Sequence, residues 1–317
     1  QEGKNVNVLA VRGNFDECQS AVKKIFTSEE CKEELKSKGV VLSSANSINF
    51  GRLAPQIAYY FSAYLDLVSS EQIKMGDPVD FAVPTGNFGN ILAAYYAKRM
   101  GLPVGKLICA SNKNNVLTDF IRTGKYDKRR EFFKTMSPSM DILISSNLER
   151  LLFELSGREP KRIKLRMDKL ASDGVYEIYD EEREELKKLF WADFCGEDET
   201  VETIYEFFEE YQYPMDTHTA CAMYAAANYM AGEETKDGNP MVVVSTASPY
   251  KFPQDVMYAV TGNDIKDSFK AIKHLNIATA MKVPASLSKL RDKPIRFKET
   301  ADKEKLYAEV LKFVDKK

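Results

Sequence analysis

Val79 to Met100 reads V-D-F-A-V-P-T-G-N-F-G-N-I-L-A-A-Y-Y-A-K-R-M, and this stretch decides the fold. Val79 to Val83 is an apolar run of strand length, Ile91 to Met100 follows a helical pattern, and Pro84 to Asn90 between them is a glycine loop. Gly86 and Gly89 let the backbone approach a ligand with no Cβ in the way. The helix N-terminus beyond offers unpaired N–H groups and a partial positive charge at the same spot. The expected guest is a phosphate. The loop has neither the Lys-Ser/Thr pair of a Walker loop nor the third glycine of a dinucleotide fingerprint, so it leaves open which phosphate.

Working outward, the pattern predicts strands at Val6–Val11, Val40–Leu42 and Leu107–Ala110. It predicts helices at Asp16–Phe26, Ser28–Lys36, about Gly51–Val68 and about Val116–Thr123. Alternating βα units of this kind predict an α/β fold, a parallel sheet with helices on both faces. From about Asn147 to Tyr211 the chain turns to charged helices, with E-E-R-E-E-L-K-K at Glu181–Lys188, and reads as an added, solvated helical segment. Asp216 to Met230 is a small-residue helix, and Met241 to Ser245 is an apolar run expected to be a strand buried on both faces. Lys251 to the end, with Pro284 and Pro294, closes the domain. There is no internal repeat or low-complexity tract.

The 317 residues are 44% hydrophobic and 29% charged, enough for one large core or two smaller ones. With 45 basic against 47 acidic side chains there is no basic excess to attract nucleic acid, and no stretch is long and apolar enough to span a bilayer. Cys18, Cys31, Cys109, Cys195 and Cys221 form no C-x-x-C pair, which suits reduced thiols and a cytoplasmic setting. His218 and His274 lack metal-ligand spacing and no G-x-S-x-G elbow is present, so neither a metal site nor a nucleophilic triad is expected. His218 reads as a hydrogen-bonded helix-start residue rather than a general base.

Two further polar clusters stand at the ends of elements. Ser43-Ser44-Ala45-Asn46-Ser47-Ile48-Asn49 groups hydroxyls and amides just before Arg52, a set able to clamp a second anion with a guanidinium. Ser245-Thr246-Ala247-Ser248 follows the apolar run at Met241, where ligands gather in open α/β sheets.

With these three clusters and V-R-G-N-F-D-E-C-Q (Val11–Gln19), S-P-S-M-D-I (Ser137–Ile142) and D-T-H-T-A (Asp216–Ala220), the chain resembles threonine synthase over nearly its whole length. That family is pyridoxal-phosphate dependent and of the tryptophan-synthase-β structural class, fold type II. The resemblance implies conversion of O-phospho-L-homoserine and water to L-threonine and phosphate. It implies that Gly86, Asn87, Phe88, Gly89 and Asn90 cradle the cofactor phosphate through backbone N–H groups, and that Thr246 meets the pyridine nitrogen. Asn46, Ser47 and Arg52, helped by Asn87, match the site for the substrate phosphate. Ser248 stands where many relatives have histidine.

The family's Schiff-base lysine lies in an S-G-D-T-G-type segment upstream of everything in this sequence, and Lys4, Lys23 and Lys24 lie in other contexts. No catalytic residue is therefore expected in this chain, which reads as a threonine synthase lacking its N-terminal part. Residues 1–45 are expected to be the rest of a small α/β domain, and residues 46–317 a large cofactor-binding domain. A sheet edge near residues 5–45 would then be open to a missing companion segment or to self-association. The other readings are a serine/threonine dehydratase or cysteine synthase of the same class, or a non-catalytic phosphate-binding module.

Overall fold

A computed structural model describes residue 3 and residues 5–13, 15–232 and 238–315. It forms two compact units, Gln1–Ser44 together with Lys289–Lys317, and Ala45–Ser288. The first unit opens with β1 (Ala10–Arg12), α1 (Phe15–Thr27) and α2 (Glu29–Ser37). The strand expected over Val6–Val11 is confined to β1. The strand expected at Val40–Leu42 does not form. Gly39, at φ 73°, ends α2, and the Val40 N–H bonds back to the Leu35 carbonyl at 2.9 Å. The donor a strand would need thus closes the helix in a Schellman motif, and Val41 is left 85% exposed.

The second unit begins with α3 (Phe50–Leu53) and α4 (Ile57–Ser69), where the pattern predicts one long helix. Pro55 has no N–H to continue the ladder, so a tighter turn at Ala54–Gln56 joins the two. Next come β2 (Val79–Pro84), α5 (Gly89–Arg99), β3 (Val104–Ser111), α6 (Val116–Thr123) and β4 (Lys125–Asp127). They are followed by α7 (Leu148–Leu155), α8 (Pro160–Ser172), β5 (Val175–Glu177), α9 (Asp180–Leu189), β6 (Phe190–Phe194) and α10 (Glu197–Tyr211). The unit ends with α11 (Thr217–Ala231), β7 (Met241–Val243), α12 (Pro253–Thr261), α13 (Ser268–Thr279) and α14 (Ala285–Ser288).

Strands β6, β3, β2 and β7, in that order, make a parallel sheet. Successive strand residues face opposite sides. Phe81, Val83, Leu107 and Cys109 meet Ile91 and Leu92 of α5 on one face, while Ala82, Ile108 and Ala110 meet Ala222, Ala225 and Ala226 of α11 on the other. Ile91 and Leu92 are fully buried, and each contributes about 1.5–3 kcal/mol.

Two expectations change here. The segment read as a charged helical addition supplies β6, whose register with β3 runs from Leu107↔Phe190 to Ser111↔Phe194. Its edge position is covered in part by α6, where Thr118 donates to the Asp193 carbonyl at 3.0 Å and Arg122 to the Ala192 carbonyl at 3.1 Å. β7 is half-buried rather than fully buried, because among the described residues it pairs only with β2.

The sheet grows from β2 through β3 to β6, and the chain then returns to lay β7 on the other side of β2. The order reverses there. Ala82 is in register with Val243, and the Val244 N–H bonds the Ala82 carbonyl at 2.9 Å, so the carboxyl ends of β2 and β7 open side by side.

Residues 289–317, which the sequence pattern runs on with the large unit, cluster with the first unit. There β8 (Thr300–Asp302) pairs with β1 in parallel, Arg12 meets Asp302 at 3.1 Å, and α15 (Leu306–Asp315) follows.

Candidate functional site

At the carboxyl ends of β2 and β7 lies a cleft of about 570 Å³. It draws on two of the polar clusters, through Pro84, Gly86 and Asn90 and through Ser245 and Thr246, and on Gly51 and Arg52, which follow the Ser43–Asn49 cluster. Ser139, Met140 and His218 line it as well. Asn46, Ser47, Asn87, Phe88 and Gly89 lie beside this lining rather than on it. Arg52 is exposed, and among the described residues it has no carboxylate partner and is the one permanent charge on the wall.

The glycine loop is built for close approach. A Cβ on Gly86 would lie 2.9 Å from the Ser139 carbonyl oxygen and 3.1 Å from Met140 Cα, and one on Gly89 would lie 2.7 Å from Ser47 Oγ. Phe88 sits at φ 60°, a left-handed conformation that costs a non-glycine residue about 1–2 kcal/mol. Its ring is 1% exposed and stands 5.7 Å from the Phe190 ring, and that burial holds the backbone in place. No side chain caps α5, so its first-turn N–H groups remain as anion donors.

The loop's carbonyls, by contrast, are engaged. Ser145 donates to the Gly86 carbonyl at 2.8 Å, and the Asn147 N–H and Nδ2 donate to the Asn87 carbonyl at 3.1 and 2.9 Å. The Tyr60 hydroxyl donates to the Asn90 Oδ1 at 2.7 Å, and burial pushes that hydroxyl well above the ordinary tyrosine range, keeping it a donor. Asn147 also reaches Ser47 Oγ at 2.9 Å, tying the second cluster to the first. The Asn46 side chain accepts from the Ile48 N–H at 3.0 Å, and Asn49 caps α3 through the Gly51 N–H at 2.9 Å.

Asp216 caps α11, accepting from the His218 N–H at 2.9 Å. Its Oδ1 also lies 3.2 Å from His218 Nδ1, while His218 Nε2 accepts the Ser139 N–H at 3.2 Å. An amide can only donate, so the ring carries its proton on Nδ1 and holds Ser139 against the cleft. Burial pushes the Asp216 carboxyl up, but the hydrogen bonds from His218 and Thr219 outweigh it and hold the group below the ordinary aspartate range. His218 is thus the buried helix-start residue that the sequence pattern predicts, with a wall-building contact that the pattern does not reveal. Ser248 caps the turn at Pro249 through the Tyr250 N–H at 3.3 Å. Ser139, Ser145 and Asn147 escape a sequence reading because their roles depend on partners some 60 to 100 positions away.

The residues present fit a phosphate-bearing cofactor: a cradle that a Cβ would fill, free helix N–H donors, bonded carbonyls, and an exposed Thr246 lining the same cleft. Among the described residues no group of three or more His, Cys, Asp and Glu could hold a metal, and no helix is long and apolar enough to cross a membrane.

Among solved structures, the pyridoxal-phosphate-bound threonine synthase of Brucella melitensis matches with a TM-score of 0.81 and 36% identity, over 99% of this chain and 60% of that one. The fold is therefore that of the fold type II pyridoxal-phosphate class. In sequence the chain is 40% identical to threonine synthase of Pseudomonas aeruginosa and 44% identical to human threonine synthase-like 1, covering 82% of itself in both cases. It spans 52% of the bacterial relative and 35% of the human one. Residues 219–313 match the family described as "Threonine synthase, C-terminal". By sequence and by fold, the chain is a relative of the threonine synthases that matches their C-terminal part.

Proposed function

We propose that the chain carries the cofactor-phosphate and substrate-phosphate sites of a threonine synthase, which converts O-phospho-L-homoserine and water to L-threonine and phosphate. The observation that supports this reading is the meeting of Arg52, the Gly86–Asn90 loop and Thr246 around one cleft at the sheet's switch point. Backbone N–H groups of Gly86, Asn87, Phe88, Gly89 and Asn90 would hold the phosphate of pyridoxal phosphate, and the Thr246 hydroxyl would meet its ring nitrogen. When bound, the cofactor supplies an electron sink for carbanion chemistry, tempered by a hydroxyl partner that leaves the nitrogen largely unprotonated.

Arg52 holds the substrate's phosphate and stabilises the charge that develops as it leaves. Asn46 and Ser47 present amide and hydroxyl groups on the same turn. Ser47 accepts from Asn147, which leaves its own O–H free to donate. Asp216 positions His218, which holds Ser139 at the cleft's lining. In this reading the covalent and proton-transfer role falls to the family's lysine in its S-G-D-T-G-type segment, and to no residue of this chain.

The test uses the full-length protein with pyridoxal phosphate. A cofactor absorbance band near ~410–420 nm and release of phosphate from O-phosphohomoserine are expected. Absence of the band sinks the cofactor assignment. A band with turnover of serine or threonine but none of O-phosphohomoserine would replace the reaction with that of a dehydratase, which has no use for Arg52.

A further inference from the structure

Arg52 can serve a phosphate only if the turn that carries it is placed against the glycine loop, and the turn does little to place itself. Its large apolar side chains are half out of water, with Ile48 42% and Phe50 51% exposed. Its backbone bonds are local. The Ile48 N–H goes to Asn46 Oδ1 at 3.0 Å, the Asn49 N–H to the Asn46 carbonyl at 3.0 Å, and the Arg52 N–H to the Asn49 carbonyl at 2.8 Å. Such bonds shape a turn without fixing where it sits.

The Ile48 carbonyl is engaged differently. Arg150 reaches it from 102 positions away, its Nη2 donating at 2.7 Å. The same guanidinium lies 5.8 Å from the centre of the Phe50 ring, and that ring meets Tyr96 of α5 edge-on at 6.4 Å. Arg150 thus holds the turn at two points, one residue after Ser47 and two before Arg52.

α7 makes a firm mount for this contact. Leu148, Leu151 and Leu152 are at most 1% exposed, so the helix is fixed by its buried side. Arg150 stands three residues after Asn147, and positions three apart are neighbours on a helix. Asn147 binds the Asn87 carbonyl of the glycine loop and Ser47 Oγ, each at 2.9 Å, so one helix start grips both turns.

The charge on Arg150 is not spent on a carboxylate. Among the described residues it forms no ion pair, and Glu154, four residues on, is taken by Arg99 at 3.4 Å and by Arg158 at 3.1 Å. A donor bearing a full charge makes the stronger kind of hydrogen bond to a carbonyl. With Ile48 and Asn147, Arg150 lines a second cavity, of about 750 Å³, and it is absent from the lining of the first cleft. It therefore acts on the cleft through the turn, without touching what binds there.

Given the assignment of the substrate phosphate to Arg52 proposed above, we infer that Arg150 is a positioning residue for that phosphate. By holding the Ile48 carbonyl and the Phe50 ring, it sets Arg52 in register with the glycine loop. A misplacement of about 1 Å is enough to cost on the order of 100-fold in rate, so a tether outside the cleft matters to the chemistry within it.

The experiment uses the full-length protein with pyridoxal phosphate. Arg150→Met keeps an apolar stem and loses the donor and the charge, whereas Arg150→Lys keeps both. Arg150→Met should lower kcat/KM for O-phosphohomoserine about tenfold or more and weaken calorimetric binding of inorganic phosphate about fivefold, with the cofactor band and the far-UV circular dichroism retained. Arg150→Lys should recover most of both losses. In an Arg52→Ala background, Arg150→Met should cost less than about twofold further, because the turn it places no longer carries the charge. Wild-type kinetics in Arg150→Met, a defect that lysine does not relieve, losses that multiply in the double variant, or a cofactor band lost in parallel with turnover overturns the inference. A wild type that binds phosphate through Arg52 but releases none from O-phosphohomoserine refutes the assigned reaction alone, and the phosphate affinities of the Arg150 variants still decide the role of Arg150. Equal phosphate affinity in the wild type and Arg52→Ala overturns both.

Discussion

Pro84–Asn90 and Asn46–Arg52 are both polar turns leading into a helix beside one cleft, yet one is locked and the other open. In the glycine loop, Thr85, Gly86, Phe88 and Gly89 are buried, and each of the carbonyls at Gly86, Asn87 and Asn90 accepts a side-chain hydrogen bond. In the other turn Asn46, Ile48, Phe50, Gly51 and Arg52 are exposed, and the Asn46 and Asn49 side chains accept from N–H groups two residues along the chain. The contrast suits the two guests proposed: a cofactor that stays, for which a rigid donor set loses little on binding, and a substrate phosphate that must enter and leave.

The sharpest way to break this comparison is to fill the locked loop. Gly86→Val places atoms against the backbone of Ser139 and Met140, which cannot swing aside as a side chain end can. Loss of the cofactor band and a destabilisation of about 1–3 kcal/mol in urea unfolding are expected. Gly89→Ala tests the same loop from its other side, where the clash is with Ser47. Its defect should be smaller and should be relieved by Ser47→Gly in the same chain. If Gly86→Val binds cofactor as before, the loop is not the cradle.

Arg52→Ala probes the open turn. It should lower kcat/KM for O-phosphohomoserine by about 100-fold or more, the scale of one lost transition-state charge partner, while leaving the cofactor band intact. Stability should move by less than about 0.5 kcal/mol, because the side chain is exposed and has no carboxylate partner among the described residues. Equal loss of band and turnover would mean that the two turns serve one ligand.

What was legible in the sequence divides along the same line. The glycine loop is recognisable because its residue types are dictated locally, by a strand end, a helix start and the absence of a Cβ. The helix starts at Ser28 and Asp216 are legible for the same reason, since an N-cap bonds to donors two or three residues on. β6 was hidden because α9 passes into it at Phe190 with no glycine or proline between them, and only pairing with β3 makes F-W-A-D-F a strand. Val40–Leu42 misled in the opposite sense: the apolar triplet has strand composition, but Gly39 commits its first N–H to the preceding helix. The wall made by Ser139 and His218 depends on residues 79 positions apart, and local pattern has no access to it.

Asn147 sharpens the comparison because it touches both regions. It is fully buried, and its one amide donates to Ser47 Oγ and to the Asn87 carbonyl, each at 2.9 Å. Asn147→Ala should cost about 1–3 kcal/mol of stability, from the two buried side-chain bonds lost to Ser47 Oγ and to the Asn87 carbonyl, which keeps the Asn147 N–H. Cofactor affinity and KM for the phosphorylated substrate should both worsen. A double-mutant cycle with Ser47→Ala then measures how much of the effect passes between the two turns, and strict additivity would make them independent.

The smallest effect expected is at the wall, and it has a sign in pH. Asp216 is a carboxylate whose buried hydrogen bonds from His218 and Thr219 hold it below its ordinary value, so the folded state binds its proton less readily than the unfolded chain does. Its contribution is fully present above the unfolded aspartate value of about 3.9 and is lost as pH falls through the lower folded value. Asp216→Asn keeps an oxygen for the cap but puts an amide donor where the Thr219 hydroxyl now donates. A cost of about 1 kcal/mol at neutral pH is expected, with a shallower loss of stability in urea midpoints followed from pH 7 down to about pH 3. The change should loosen Ser139 and, through its contact with Gly86, the cofactor loop, while KM for the substrate at the Arg52 turn stays as it was. An unchanged acid limb would assign that loss of stability to other carboxylates, and a raised KM with intact cofactor affinity would place the His218 wall with the open turn instead of the locked one.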